Sequence, residues 1–173
     1  MTMSPSLRRA ALALHLITSV GWIGAAAGYL ALGVSAATSE EPLTIRAAWI
    51  GMEVIAWNAL VPLGGLALLT GLMMSLGTSW GLVRHYWVVF KLVITLVATA
   101  VLVAYTGTLD QFADIATDDP FTGRHLGLLR SPSIVVHSAG ALLLLVAATL
   151  LAIYKPIGMT RRGHRFRQDT RTT

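Results

Sequence analysis

Four long apolar runs dominate the pattern of hydrophobic and polar positions along the chain. They cover Ala10–Val34, Ala47–Leu76, Tyr86–Gly107 and Pro132–Ile153. Each run exceeds the roughly 20 residues that an α-helix needs to cross a bilayer core about 30 Å thick. The pattern therefore predicts an all-α membrane protein, a four-transmembrane-helix bundle with up-down topology.

Local signals refine the helices within these runs. Gly24 and Gly28 in the first run have the small-residue spacing that lets membrane helices approach closely. Pro62 removes a backbone donor inside the second run, which predicts a kink there. Ser131-Pro132 has the residue types of an N-cap and a first helical position, so the fourth helix should begin at this pair.

Composition supports a single membrane domain over residues 1–173. The chain is 55% hydrophobic and 12% charged, about half the charged fraction of an ordinary soluble domain. Cysteine is absent, which excludes disulfides, thiolate metal sites, iron–sulfur clusters and covalently attached haem. The four runs use most of the chain, so the remainder is short loops and a basic tail, residues 156–173.

The basic residues predict an orientation in the membrane. With four helices threaded up and down, nine Lys and Arg fall on one side: Arg8, Arg9, Arg84, Lys155, Arg161, Arg162, Arg165, Arg167 and Arg171. Three fall on the other: Arg46, Arg124 and Arg130. The side with the excess of Lys and Arg is the cytoplasmic one. We therefore expect a protein of the inner (plasma) membrane with both termini in the cytoplasm. The basic tail should rest on anionic lipid headgroups rather than bind nucleic acid.

A secretory signal peptide is the alternative interpretation of the N-terminus, with cleavage after Ala36. The first apolar run is longer than the 7–15 residues of such a segment, and it contains His15. We therefore interpret the run as a membrane helix.

Each apolar run contains one ionisable residue, namely His15, Glu53, Lys91 and His137 in chain order. An ionisable group at membrane depth is a functional-site hypothesis. Structural roles remain open for all four: a histidine can bridge two helices, Lys91 can extend to the headgroups, and a buried Glu53 can be neutral.

Counting helical rise from the nearest charged or capping residue predicts two polar layers. His15 and Lys91 each lie roughly 9–10 Å inside the cytoplasmic edge, and Glu53 and His137 lie at a similar depth from the outer edge. The two histidines should then be on the order of 10 Å apart along the membrane normal, so they should not share one flat ligand.

A non-covalent b-type haem is the ligand that fits these residues best. Its iron takes a neutral imidazole, and its flat ring fits between the helices of a bundle. His15 or His137 would be the axial ligand, with Lys91 and Glu53 as second ligands or neighbours. We favour His137 as the indispensable ligand because Glu53 shares its level. Propionates would pair outside with Arg124 and Arg130, or inside with the basic residues of the cytoplasmic edge.

Two other cofactor or transport roles remain open. Cu(I) favours methionine ligands, and the chain has Met52, Met73 and Met74, although they form no Met–x–Met cluster. Proton conduction through the four ionisable residues is the other.

Several of these segments resemble known membrane proteins. Leu14-His15-Leu16-Ile17 with Gly21-Trp22-Ile23-Gly24 resembles the first helix of the flavin-free protoporphyrinogen oxidase and of the copper resistance protein D membrane domain. In that oxidase a first-helix His and a Lys after a Trp are tied to haem; His15 and the Lys91 of Trp87–Leu92 match them. His137 is not part of that pattern.

The whole chain is more similar to an actinobacterial group of predicted four-helix integral membrane proteins of undefined function. Leu69–Leu72, Trp80–Leu82, Tyr86–Val88 and His137–Gly140 carry this likeness. From the histidines at membrane depth and the resemblance to the haem-associated oxidase, we expect a membrane haem b protein with a redox role, either electron transfer or oxidoreductase chemistry of a small molecule at the iron. Its partners would be the bilayer and a membrane or quinone electron donor. An accessory subunit and a homo-oligomer remain open.

Overall fold

The computed structural model describes residues 3–77, 81–154, 158 and 160. Its helices are α1 (Pro5–Thr38), α2 (Pro42–Ile55), a π-helical turn (Ala56–Leu60), α3 (Val61–Gly77), α4 (Tyr86–Thr117), α5 (Gly123–Leu129) and α6 (Ser133–Tyr154). The turn joins α2 to α3, so that these elements form one membrane-length helix. Four such apolar helices make the chain an all-α, multi-pass membrane protein.

The four long helices occupy the corners of a square. Helix α1 packs against α2–α3 and α6, and α4 packs against the same two neighbours from the opposite corner. We call the end with Pro5, Gly77, Tyr86 and Tyr154 the terminal end, and the opposite end the far end. A side chain that joins α1 to α4 must therefore cross the middle of the bundle.

The far end is more helical than the sequence predicted. The region after Gly107 was expected to be a loop, and this expectation is wrong, because α4 continues to Thr117. Leu109, Ala113 and Ala116 recur at helical spacing and are buried there, so apolar packing extends the helix. The short helix α5 then occupies much of the remaining connection to α6.

Pro62 perturbs its helix through the preceding turn. Proline has no N–H, and residues 56–60 form a π-helical turn, closed by the bond from the Val61 N–H to the Ala56 carbonyl. The predicted kink site is therefore a π bulge, a distortion that recurs at functional sites. At the start of α6, the Ser133 N–H donates to the Ser131 hydroxyl at 3.3 Å, as expected of a capping serine, and the helix begins at Ser133, one residue after the predicted Pro132.

Two arginines join the far-end segments through backbone carbonyls. Arg46 Nε donates to the carbonyl of Ala116 at 2.6 Å, and its guanidinium lies 4.9 Å from the Phe121 ring centroid. Arg130 Nε donates to the carbonyl of Ser39 at 3.0 Å. Both carbonyls are near helix C-termini, where backbone acceptors lack partners within the helix. These bonds fix the far end as a packed cap.

Trp22 in α1 packs directly against Gly64 in α3. A Cβ atom at Gly64 would lie 2.9 Å from Trp22 Cζ2, so only glycine admits the indole at this depth. Trp22 is 4% exposed. The close approach of these two helices positions the polar residues that follow toward the terminal end.

Backbone pairing fixes one part of the chain after α6. The Thr160 N–H donates to the Arg84 carbonyl at 2.9 Å, and the Tyr86 N–H donates to the Gly158 carbonyl at 3.4 Å. The rest of the predicted basic tail lies outside the described residues, and so do Ser79 and Trp80.

Candidate functional site: a histidine–threonine–lysine cluster

His15, Thr70 and Lys91 meet inside the bundle near its terminal end. His15 Nδ1 lies 3.0 Å from Thr70 Oγ1, and Lys91 Nζ lies 3.1 Å from His15 Nε2. The three residues come from three corners, α1, α3 and α4. The contact between His15 and Lys91 spans the diagonal of the square, and it joins residues 76 positions apart in sequence.

The hydrogen bonds assign the proton on the imidazole of His15. Thr70 Oγ1 donates its only proton to the Leu66 carbonyl at 2.6 Å. The hydroxyl must therefore accept the bond from His15, so Nδ1 carries the hydrogen and Nε2 carries the lone pair. Lys91 donates to that lone pair. The chain of bonds thus runs from Lys91 through His15 and Thr70 to a backbone carbonyl.

Gly71, next to Thr70, makes room for the imidazole ring. A Cβ atom there would lie 3.2 Å from His15 Cε1, closer than most carbon contacts. Thr70 is 4% exposed, whereas His15 and Lys91 are half-buried. Thr70 therefore binds the ring by a hydrogen bond, and Gly71 leaves space for the ring because it has no side chain.

Lys91 has no acidic partner in the part of the chain that the structure describes, and His15 is its hydrogen-bonding side chain there. A charged group at membrane depth is costly unless it is paired or solvated. The lone pair of His15 Nε2 accepts a hydrogen bond from Lys91 Nζ, and the amine can donate this bond in its charged or its neutral form.

The structure does not bring His137 and Glu53 together. His137 is exposed near the far end of α6, with Nδ1 2.7 Å from the Ser133 carbonyl and its ring stacked on Tyr105. Glu53 is half-buried in α2, the helix diagonally opposite α6. Among the described residues, no hydrogen bond joins the two.

The two arginines predicted to pair with haem propionates lie in different environments. Arg124 is exposed on α5, whereas Arg130 is bonded to the Ser39 carbonyl. Met52 is buried in α2 and packs near Gly33, while Met73 and Met74 are about 30 Å away along the helix axis. The methionines therefore do not converge on one point.

No group of three or more His, Cys, Asp or Glu side chains in the described ranges has the arrangement of a metal site. The His–Thr–Lys cluster thus offers one imidazole nitrogen and one amine. Together with the fold, it defines a class: a multi-pass four-helix membrane protein with a polar cluster across its diagonal. Comparison with known proteins found no matching family model, curated protein or solved structure.

Thr70 is the member of the cluster that sequence reasoning missed. It lies seven residues before Gly77, roughly 10 Å from the helix end, which is the depth inferred for His15 and Lys91. The same counting of rise would have found it if hydroxyl side chains had been included.

Proposed function

We propose that this protein is an integral membrane b-type haem protein with a redox role, in which His15 Nε2 is the iron ligand. The observation that carries the proposal is the contact between His15 Nδ1 and Thr70 Oγ1, which assigns the hydrogen of the imidazole to Nδ1 and the lone pair to Nε2. A ligating histidine commonly donates its other ring N–H to an acceptor that orients the ring, and Thr70 is such an acceptor at 3.0 Å. Support also comes from the contact between His15 and Lys91, the two residues that carry the resemblance to the haem-associated oxidase.

The residues present fit a haem by their chemistry. His15 offers a neutral nitrogen with a lone pair, and the flexible side chain of Lys91 can leave Nε2 to become a second ligand or a propionate partner. Arg8 and Arg9 are exposed about two turns of α1 before His15, at the height where propionates would reach the headgroups. Bound haem would supply a one-electron iron couple or a site for a small molecule such as oxygen, superoxide or nitric oxide.

The protein's own groups have separate tasks in this proposal. Thr70 holds the proton on Nδ1 of His15 and thereby directs the lone pair of Nε2 into the bundle. Lys91 holds a proton at Nζ beside that nitrogen. The apolar helices exclude bulk water from the cluster.

The test is the absorption spectrum of protein purified in mild detergent from haem-replete cells. We expect a Soret band and a b-type pyridine haemochrome, lost in His15→Ala and retained in His137→Ala and His125→Ala. Lys91→Met should keep the pigment with a shifted spectrum, since a neighbouring partner typically contributes 10–100-fold in affinity rather than all of it. A colourless wild type, or full pigment in His15→Ala, would reject the assignment.

Proton transfer is the second candidate, favoured by the direct 3.1 Å bond between Lys91 and His15. In this case the wild type is colourless, reconstituted vesicles show a proton flux, and Lys91→Met abolishes it. Stoichiometric copper in the purified protein would instead support a copper carrier.

The proposal includes an inner-membrane location with both termini in the cytoplasm. It rests on the nine-to-three distribution of Lys and Arg between the two sides. A reporter that is active only in the periplasm should give no signal at the C-terminus and a signal in the connection after α5. The reverse pattern would invert the orientation.

A further inference from the structure

A second polar cluster lies toward the far end, on helices α1, α4 and α6. The rings of Tyr105 and His137 are stacked, with centroids 5.7 Å apart and an interplanar angle of 21°. Tyr29 is 7% exposed in the core cluster against which Tyr105 packs. The cluster is separate from His15 and contains two phenols and an imidazole.

The hydrogen bonds of this cluster are incomplete. His137 Nδ1 lies 2.7 Å from the Ser133 carbonyl and 3.2 Å from the Ser133 hydroxyl. A carbonyl can only accept, so the shorter contact places the hydrogen on Nδ1. Nε2 therefore carries a lone pair. In the part of the chain that the structure describes, neither this nitrogen nor the hydroxyl of Tyr105 has a hydrogen-bond partner. Polar atoms without partners are costly next to hydrocarbon.

We propose that Tyr105 and His137 bind the headgroup of a membrane-dissolved quinone or quinol. A quinol hydroxyl can donate to the lone pair of His137 Nε2, and a quinone carbonyl can accept from the Tyr105 phenol. The flat headgroup matches the stacked rings. Val101 and Val136, close to the two residues in their helices, are 55% and 68% exposed and offer an apolar surface to an isoprenoid tail.

A phospholipid satisfies the site less well. Its ester and phosphate oxygens can accept from Tyr105, but only a headgroup with an ammonium or hydroxyl group can also donate to His137 Nε2, and such a headgroup is not flat like the stacked rings. The exposure of His137 at a bundle surface also matches a ligand that arrives through the bilayer. Binding here does not require that His15 hold a haem, so a colourless protein that binds quinone would leave this inference intact.

Titration of the protein in lipid nanodiscs with a short-chain ubiquinone and its quinol tests the site. Quenching of the five tryptophans reports binding. We expect saturable quenching in the wild type. His137→Phe should weaken quinol binding and Tyr105→Phe should weaken quinone binding, each about tenfold, as expected for loss of one hydrogen bond. Both substitutions keep an aromatic ring in place.

His125→Phe and Tyr154→Phe are the matched controls, since His125 contacts Phe121 and Thr122 and Tyr154 lies at the terminal end, and their affinities should stay within about twofold. Far-UV circular dichroism establishes that each variant is folded. Quenching that rises linearly without saturation, or equal affinities in all four variants, would overturn the proposal. So would a co-purified phospholipid, detected by native mass spectrometry, that is lost from His137→Phe and blocks quinone binding.

Discussion

Replacing Thr70 by valine tests the hydrogen-bond chain through His15. The substitution keeps the branched shape of the side chain and removes its hydroxyl. Thr149→Val is a matched control in α6. Each threonine donates to the carbonyl four residues earlier, Thr70 at 2.6 Å and Thr149 at 2.9 Å. Only Thr70 also accepts a bond from His15.

The difference between the two variants isolates the bond to the imidazole. The loss of the bond to the helix's own carbonyl is common to both and cancels. A buried N–H left without an acceptor costs about 1–3 kcal/mol, while deletions of hydrogen bonds within membranes average about 0.6 kcal/mol and reach about 1.7. We therefore expect Thr70→Val to lower the free energy of unfolding by about 1–2 kcal/mol more than Thr149→Val.

Two measurements check this expectation. Unfolding in mixed detergent–SDS micelles, followed by circular dichroism, gives the free energies. Nitrogen-15 NMR of labelled histidines gives the tautomer, with the His15 signal identified by its loss in His15→Gln. The wild type and Thr149→Val should show a proton on Nδ1 of His15. Equal stability of the two valine variants, together with a proton on Nε2 in the wild type, would refute the assignment.

Two further matched pairs test the packing, with unfolding in the same mixed micelles as the measurement. Gly64→Ala should be about 1–3 kcal/mol less stable than Gly65→Ala, because only the first Cβ would overlap a buried indole and nothing lies within 4 Å of the second; equal stability would contradict the close helix contact. Trp49→Phe should cost about 1–3 kcal/mol because it leaves the buried Leu129 carbonyl without its 2.9 Å indole donor. Trp57→Phe also removes an indole bond, the exposed 2.8 Å contact with Asp110, and should cost less than about 1 kcal/mol because water can replace that donor; the opposite order would contradict the packed cap.

The fold was largely predictable because membrane helices must satisfy their backbone internally. Length and hydropathy therefore located all four membrane helices. The extension of α4 to Thr117 was missed because Asp110 and Asp114 reduce the hydropathy of that region. Its helical form follows from the tertiary burial of Leu109 and Ala113, which a search for membrane-length apolar runs does not detect.

The sequence predicts the depth of each site residue in the membrane, but it does not predict which neighbouring helix that residue faces. His15 and Lys91 were placed at one level by counting helical rise, and the structure joins them. The same count placed Glu53 near His137, but these residues lie on diagonal helices and face different neighbours. The helical rise per residue gives the height of a residue along the bundle from the sequence alone. The order of helices around the square depends on packing, which sequence spacing does not encode.

The π-helical turn at residues 56–60 has a consequence for how the chain can change in length. A π turn contains one residue more than an α turn, so deletion of a residue such as Ala59 can restore a regular α-helix while the segments on either side keep their facing. Elsewhere in α2 or α3 the same deletion would rotate all later residues by about 100°. Thr70 and Gly71 would then turn away from His15. The bulge is thus the position in this helix where deletion of one residue leaves the inner cluster aligned.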